Sequence, residues 1–149
     1  MEEVFPEQIN LKSFEEKSEL NPKIWTDRCD LRKIVRQRLY EIGMNFIKNI
    51  DDMDIKVEDI LFVGSLAGYN WSKYSDVDLH IIVDFEALRK YATPEILKQN
   101  FDRIKNDWNQ KHQILIYGYE VEMYVQDINE ENASDGIYSV KYGKWVKVP

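Results

Sequence analysis

The chain has 149 residues, 44% of them hydrophobic and 32% charged, with only 6 Gly and 4 Pro. That is enough for one domain with a real core and too little for two ordinary ones, and nothing in it is collagen-like, repetitive or low in complexity. The formal charge of −7 argues against a protein that coats nucleic acid non-specifically, and no apolar stretch approaches the roughly 20 residues of a membrane span. The acidic start, MEEVFPEQINLKSFEEKSEL, lacks the apolar centre of a signal peptide, and a lone cysteine, Cys29, excludes an internal disulfide. A cytoplasmic location is expected.

Residues 1–20 have weak periodicity and read as an arm or loose helix; residues 21–149 read as one domain. Pro22 biases Asn21 away from helix. A helix is expected from about Asp30 to Asn49, with Leu31, Ile34, Val35, Leu39, Ile42, Phe46 and Ile47 spaced by three and four residues and Asp27 or Asp30 at its cap. Arg28, Arg32, Lys33, Arg36 and Arg38 crowd its start. They are either a solvated helix face or a patch that receives a polyanionic substrate. Ile60-Leu61-Phe62-Val63 then forms a short buried strand that ends at Gly64, and a second strand runs from Val77 to about Phe85.

Thr93-Pro94-Glu95 marks a helix start, with a capping hydroxyl before a first-turn proline, and Leu97, Phe101, Ile104 and Trp108 give that helix one apolar stripe as far as Lys111. QILIYGYEVEMYVQD is a third strand region, rich in β-branched and aromatic residues. After the polar stretch NEENASDG, IYSVKY and KWVKVP around a glycine read as a terminal hairpin. Helices and strands alternate, so the fold class is α/β in a single domain.

Two aspartates, Asp76 and Asp78, stand at the mouth of the apolar run Leu79–Val83. Strand alternation turns both to one side and Val77 and Leu79 to the other. Carboxylates held this close repel one another unless a cation lies between them, and hard oxygen ligands suit Mg²⁺, which binds one or two carboxylates together with substrate phosphates. Upstream, Gly64-Ser65 ends the first strand, where glycine lets backbone approach a phosphate and serine can donate to it. Alone, Gly-Ser is an ordinary strand exit and Asp-x-Asp a common accident. Together, at the ends of consecutive apolar strands, they point to a metal-assisted phosphate site.

The stretch GSLAGYNWSKYSDVDLHIIVDF resembles the signature of the DNA polymerase beta-like nucleotidyltransferase superfamily: Gly-Ser after a hydrophobic residue, a spacer, then Asp-x-Asp on a strand. The likeness is nearest to small predicted nucleotidyltransferases of bacteriophage genomes. LNPKIW, VEMYVQD and GIYSV…KWVKVP share it, so it covers roughly residues 20–149. It implies a mixed sheet flanked by helices and a third acidic residue on a neighbouring strand. Glu122 is the first candidate and Glu120 the alternative, in place of the aspartate many relatives carry.

The resemblance further implies a host-cytoplasmic enzyme that moves a nucleoside monophosphate from an NTP to a hydroxyl acceptor. Asp76, Asp78 and Glu122 would hold Mg²⁺ or Mn²⁺. Asp78 or Glu122 would receive the acceptor's proton. Gly64, Ser65 and Leu66 would grip phosphates, with Tyr74 and Ser75 completing the nucleotide site. The acceptor stays open between an RNA end, a protein hydroxyl and a small molecule, and a partner protein could supply it. The competing reading is a catalytically silent binding module of the same fold, an antitoxin-like partner of another protein.

Among the remaining residues, Tyr69 and Trp71 read as packing anchors of the spacer, although, like Tyr74, they could stack on a base. His80 shares the aspartates' face and reads as an influence on their electrostatics. Trp25 and Trp145 read as core or rim aromatics, Cys29 as structural, and His112 carries no assignment.

Overall fold

A computed structural model describes residues 16–149. The first long element is α1 (Lys33–Lys48), followed by β1 (Asp59–Val63), β2 (Val77–Val83), α2 (Pro94–Lys111), β3 (Leu115–Ile116), β4 (Tyr119–Asp127), β5 (Ile137–Ser139) and β6 (Lys144–Lys147). The strands form one six-stranded sheet in the order β3-β4-β2-β1-β5-β6. β2 and β4 are parallel and every other neighbouring pair is antiparallel. A parallel pair needs a crossover, which α2 supplies. The result is a mixed α+β domain with a single core.

α1 buries Val35, Leu39, Ile42, Phe46 and Ile47, the expected stripe, but Ile34 is 69% exposed and lies off it. Gly43 allows close approach: a Cβ there would stand 3.0 Å from Ile60 Cδ1 and 3.1 Å from Ile81 Cδ1. α1 therefore presses on the face of β1 and β2 that carries Ile60, Phe62, Leu79 and Ile81, all fully buried. Each such side chain contributes about 1.5–3 kcal/mol through removal from water, so truncating Leu79 or Phe62 would remove a large part of the domain's stability.

The helix begins later than Asp30, and neither Asp27 nor Asp30 caps it. Arg32 takes the cap position without a side-chain hydrogen bond. Residues 25–31 are instead closed into a loop by an antiparallel bridge between Trp25 and Leu31, with Thr26 Oγ1 accepting from the Arg28 and Asp30 amides. Extended pairing at Leu31 is incompatible with helical backbone at Asp30.

α2 starts as expected. Thr93 Oγ1 accepts from the Ile96 amide at 3.4 Å, Pro94 sits in the first turn, and Leu97 and Phe101 are buried. Near its end, Asn109 accepts from the Met123 amide at 3.0 Å and donates to the Met123 carbonyl at 3.2 Å. This side chain thus stands in for a missing strand along the β4 edge, where the very short β3 has run out.

The third strand region, residues 113–127, holds two strands. Tyr117 (φ 50°) and Gly118 (φ 88°) form a two-residue turn with left-handed backbone at both positions, which folds β3 back on β4. β2 stops at Val83, short of Phe85, because Phe85 has helical backbone and leads into a short 3-10 turn. The terminal hairpin is present, with strands shorter than expected and Gly143 at φ 71° in its turn. Of the proposed arm, residues 1–15 lie outside the described residues. Residues 16–20 join the domain: the Lys17 amide donates to the Tyr69 carbonyl and Leu20 enters the core. No helix among the described residues is long and apolar enough to cross a membrane.

Candidate functional site

Alternation along β2 buries Val77, Leu79 and Ile81 under α1 and turns Asp78 and His80 to the opposite face. Along β4, Tyr119, Val121, Met123 and Val125 are buried while Glu120 and Glu122 are exposed. The parallel register pairs Asp78 with Glu122 and Val77 with Val121, so Asp76, one residue before β2, comes beside Glu120. Carboxylate oxygens of Asp76, Glu120 and Glu122 all lie within 4.8 Å of one another. Asp78 adjoins this trio, closest to the interior.

Among the described residues, Asp76, Asp78 and Glu122 make no hydrogen bond and no ion pair; Glu120 accepts one hydrogen bond, from Gln113 Nε2 at 3.0 Å. The electrostatic consequence is large. Burial first, then Glu122 and Asp76, push the Asp78 carboxyl up to about 6. Asp76 is raised by burial and by Glu120. Glu122 is raised by burial, Asp76 and Glu120, against a lowering influence from Lys105. Protons or a bound cation would each relieve this repulsion.

The donor set is all oxygen, which fits Mg²⁺ or Mn²⁺ and not a soft metal. Sequence spacing points to Asp76 and Asp78 as ligands, and the resemblance adds Glu122, with Glu120 as alternative. In the structure both glutamates belong to the cluster, and the tightest trio omits Asp78. The reason is Gly64. It has φ +84°, and a Cβ there would lie 2.2 Å from Asp78 Oδ2. The Asp78 carboxylate leans on this bare backbone and is drawn toward β1.

Gly64 also opens a cleft of about 300 Å³ bordered by Ser65, Gly68, Asn70, Ser134 and Asp135. The Gly64 amide donates to Ser134 Oγ at 3.0 Å, and Ser134 Oγ donates to the Gly136 carbonyl at 2.7 Å. Ser65 Oγ lies 2.6 Å from Ser75 Oγ, which accepts from the Ser72 amide at 2.9 Å. Ser75 is buried and acts as the tie between the spacer and the Gly-Ser turn. Leu66 is buried too, its carbonyl accepting from Trp25 Nε1 at 2.8 Å. Tyr74 is 51% exposed at the rim, with Lys73 Nζ 5.1 Å from its ring centre.

Trp71 donates from Nε1 to the Glu19 carbonyl, and the Tyr69 carbonyl accepts from Lys17, which makes both residues anchors for the segment before α1. Trp25 is a core aromatic, stacked on Trp145 at 4.7 Å and edge-on to Tyr138. Cys29 is exposed with φ 62°, its carbonyl accepting from Trp145 Nε1.

The chain matches no family model, no curated protein and no solved structure. What the site can do is therefore read from its own residues.

On the β4 side of the carboxylates a second cavity, of about 360 Å³, is walled by Asp78, Glu122, His80, Tyr124, Lys105 and Glu130. His80 Nδ1 is 2.8 Å from Gln126 Oε1, and burial lowers its pKa. Tyr124 donates to Glu130 Oε2 at 2.8 Å and bonds Lys98, which also reaches Asp102 at 3.0 Å. Lys98 and Lys105 thus bring positive charge from α2 to the edge of an acidic site. Ser134, Lys105, Tyr124 and Gln126 escape sequence reasoning. Tyr124 and Gln126 had a signal, since they continue the two-residue alternation of Glu120 and Glu122. Lys105 and Ser134 had none.

Proposed function

We propose that the chain is a metal-dependent nucleotidyltransferase of polymerase beta-like fold, which moves a nucleoside monophosphate from an NTP to a hydroxyl acceptor and releases pyrophosphate. One observation carries this reading. Four carboxylates, three of them with neither hydrogen bond nor ion pair, gather where β2 and β4 begin, and a glycine that must stay a glycine lies against one of them. Their clefts on either side offer separate places for the two substrates.

Asp76, Glu120 and Glu122 would hold Mg²⁺ or Mn²⁺, with Asp78 joining them. The metal would neutralise charge on the phosphates and on the departing pyrophosphate. Ser65 and the backbone at Gly64 and Leu66 would orient the triphosphate in the cleft beside β1, Ser134 yielding the Gly64 amide as phosphate arrives. The acceptor hydroxyl would lie in the cavity beside Glu122. Its oxygen bonds the α-phosphorus as the bond to the bridging oxygen breaks, and its proton passes to Asp78 or Glu122. Most of the rate enhancement would come from positioning and charge stabilisation.

The reading of a silent binding module has one observation in its favour: the donors expected to cradle phosphate, the Gly64 amide and Ser65 Oγ, already have partners. Transfer of α-phosphate label from each of the four NTPs, with Mg²⁺ or Mn²⁺ and with or without cell extract, separates the two. Label on an RNA, protein or small product that disappears with Asp76→Asn/Asp78→Asn supports the enzyme. Metal-dependent NTP binding without transfer in any extract supports the module. A protein indifferent to both metal and NTP overturns the enzyme and leaves the module.

A further inference from the structure

A groove of about 570 Å³ does not touch the acidic cluster. It lies between α1 and the chain that leaves β5, lined by Lys33, Arg36, Tyr40, Lys141 and Tyr142. α1 packs on the Ile60 and Ile81 face of the sheet, and the carboxylates project from the other face. The sheet therefore separates this groove from the acidic cluster.

Its charge is unusual for a chain with a formal charge of −7. Lys33, Arg36 and Lys141 make no ion pair with a carboxylate among the described residues. Two of these cations are held in place by backbone. Arg36 donates from Nε to the Val140 carbonyl at 2.8 Å and from Nη2 to the Lys141 carbonyl at 2.9 Å. Its guanidinium lies flat against Gly143, where a Cβ would come within 2.8 Å of Cζ. Lys141 Nζ reaches the Val57 carbonyl at 3.0 Å and stands 5.3 Å from the Tyr142 ring centre. Carbonyl partners fix these groups without neutralising them. Lys33 is exposed and free to swing, and Tyr40 and Tyr142 are 40% and 59% exposed.

Clustered fixed cations beside exposed aromatic rings suit a ligand with phosphate at one end and a flat ring at the other. The volume is that of a small-molecule site. The cations surround one cavity and do not extend along a track: Arg28 and Arg38 do not line it, and the Arg32 Nε is spent on the Pro22 carbonyl. A strand of nucleic acid needs such a track. We propose that this groove is a second nucleotide site, which takes a single free nucleoside phosphate without metal, with phosphate on Lys33, Arg36 and Lys141 and the base on Tyr142 or Tyr40. It assigns a role to the basic start of α1 that the acidic site leaves unexplained.

The test is fluorescence anisotropy of N-methylanthraniloyl-ADP with the full chain in EDTA, which removes any metal-dependent binding at the carboxylates. Lys33 and Tyr142 are exposed, so Lys33→Glu and Tyr142→Ala leave the fold intact, whereas Arg36 and Lys141 also hold the β5–β6 turn. Saturable binding is expected, weakened by salt, weakened about tenfold or more by Lys33→Glu and about tenfold by Tyr142→Ala, and unchanged by Asp76→Asn/Asp78→Asn. No saturation up to millimolar nucleotide overturns the proposal. So does binding that survives both groove variants but fails with the aspartate pair. Displacement by a hexa-adenylate at far lower concentration than by ADP overturns the single-nucleotide assignment in favour of a strand.

Discussion

Replacing Asp78 with Asn should stabilise the metal-free protein. The Asp78 carboxyl is raised from the ordinary 3.8 to about 6 by burial, Glu122 and Asp76. Each pH unit corresponds to about 1.4 kcal/mol, so ionised Asp78 costs the fold about 3 kcal/mol, reduced to about 2 because solvent still reaches the group. The folded state binds this proton more tightly than the unfolded one. Stability from the protonated form is therefore complete below the unfolded value of 3.8 and is lost as pH rises through about 6. Raised Asp76 and Glu122 act in the same direction.

In EDTA at pH 7.5, Asp78→Asn should raise Tm by about 6 °C, for a domain of this size, over wild type. At pH 5 the advantage should shrink by about half, as wild type regains its proton. The amide has the carboxylate's shape, so the approach to Gly64 is preserved. Added Mg²⁺ or Mn²⁺ should stabilise wild type, because a ligand bound only to the folded chain shifts the equilibrium, and should stabilise the variant less. Thermal and urea denaturation in EDTA at the two pH values measure all of this. A variant no more stable than wild type at pH 7.5, or a difference that does not depend on pH, would refute the argument from burial and repulsion and with it the case for a cation.

Other consequences follow from the same geometry. Gly64→Ala, forced to φ +84° with its Cβ on Asp78 Oδ2, should cost about 3 kcal/mol in urea unfolding, and markedly less in an Asp78→Ala background, where the contact is gone. Glu120→Gln and Glu122→Gln should each weaken Mn²⁺ binding, read by titration calorimetry, by about tenfold; a Glu120→Gln protein with wild-type affinity would return the third ligand to Glu122 alone. Asn109→Ala should lose about 2 kcal/mol and speed hydrogen exchange at the Met123 amide, since both of its strand-like hydrogen bonds vanish.

Much of the site was legible because one face of each strand is apolar. Val77, Leu79 and Ile81 must face the core, so Asp78 and His80 turn to the other face of the sheet, and Val121, Met123 and Val125 fix Glu120 and Glu122 in the same way. Thr93-Pro94 announced α2 because its capping chemistry is local. The α1 start failed because the bridge between Trp25 and Leu31 is a tertiary contact that overrides a plausible local cap. Both Glu122, the first candidate, and Glu120, the alternative, stand in the cluster, and spacing alone does not decide between them. The choice depends on Asp76 lying just outside β2 and on Asp78 being drawn toward Gly64, and neither is a property of spacing.

Topology explains why these motifs meet at all. β1 and β2 are antiparallel with Val63 opposite Asp78, so the end of β1 delivers Gly64 and Ser65 to the place where β2 begins. β4 is parallel to β2 and begins at that same place with Glu120 and Glu122. Three segments far apart in the chain thus bring glycine, serine and four acids to one edge of the sheet. A one-residue slip of β4 would turn both glutamates to the face that α2 covers and expose Val121 and Met123, at a cost of several kcal/mol in lost burial and unpaired charge. The hydrophobic core is therefore what sets the register of the acidic cluster, whose carboxylates repel one another. Ionised Asp78 thus works against the fold by about 2 kcal/mol, and a cation bound at the proposed metal site would remove that cost.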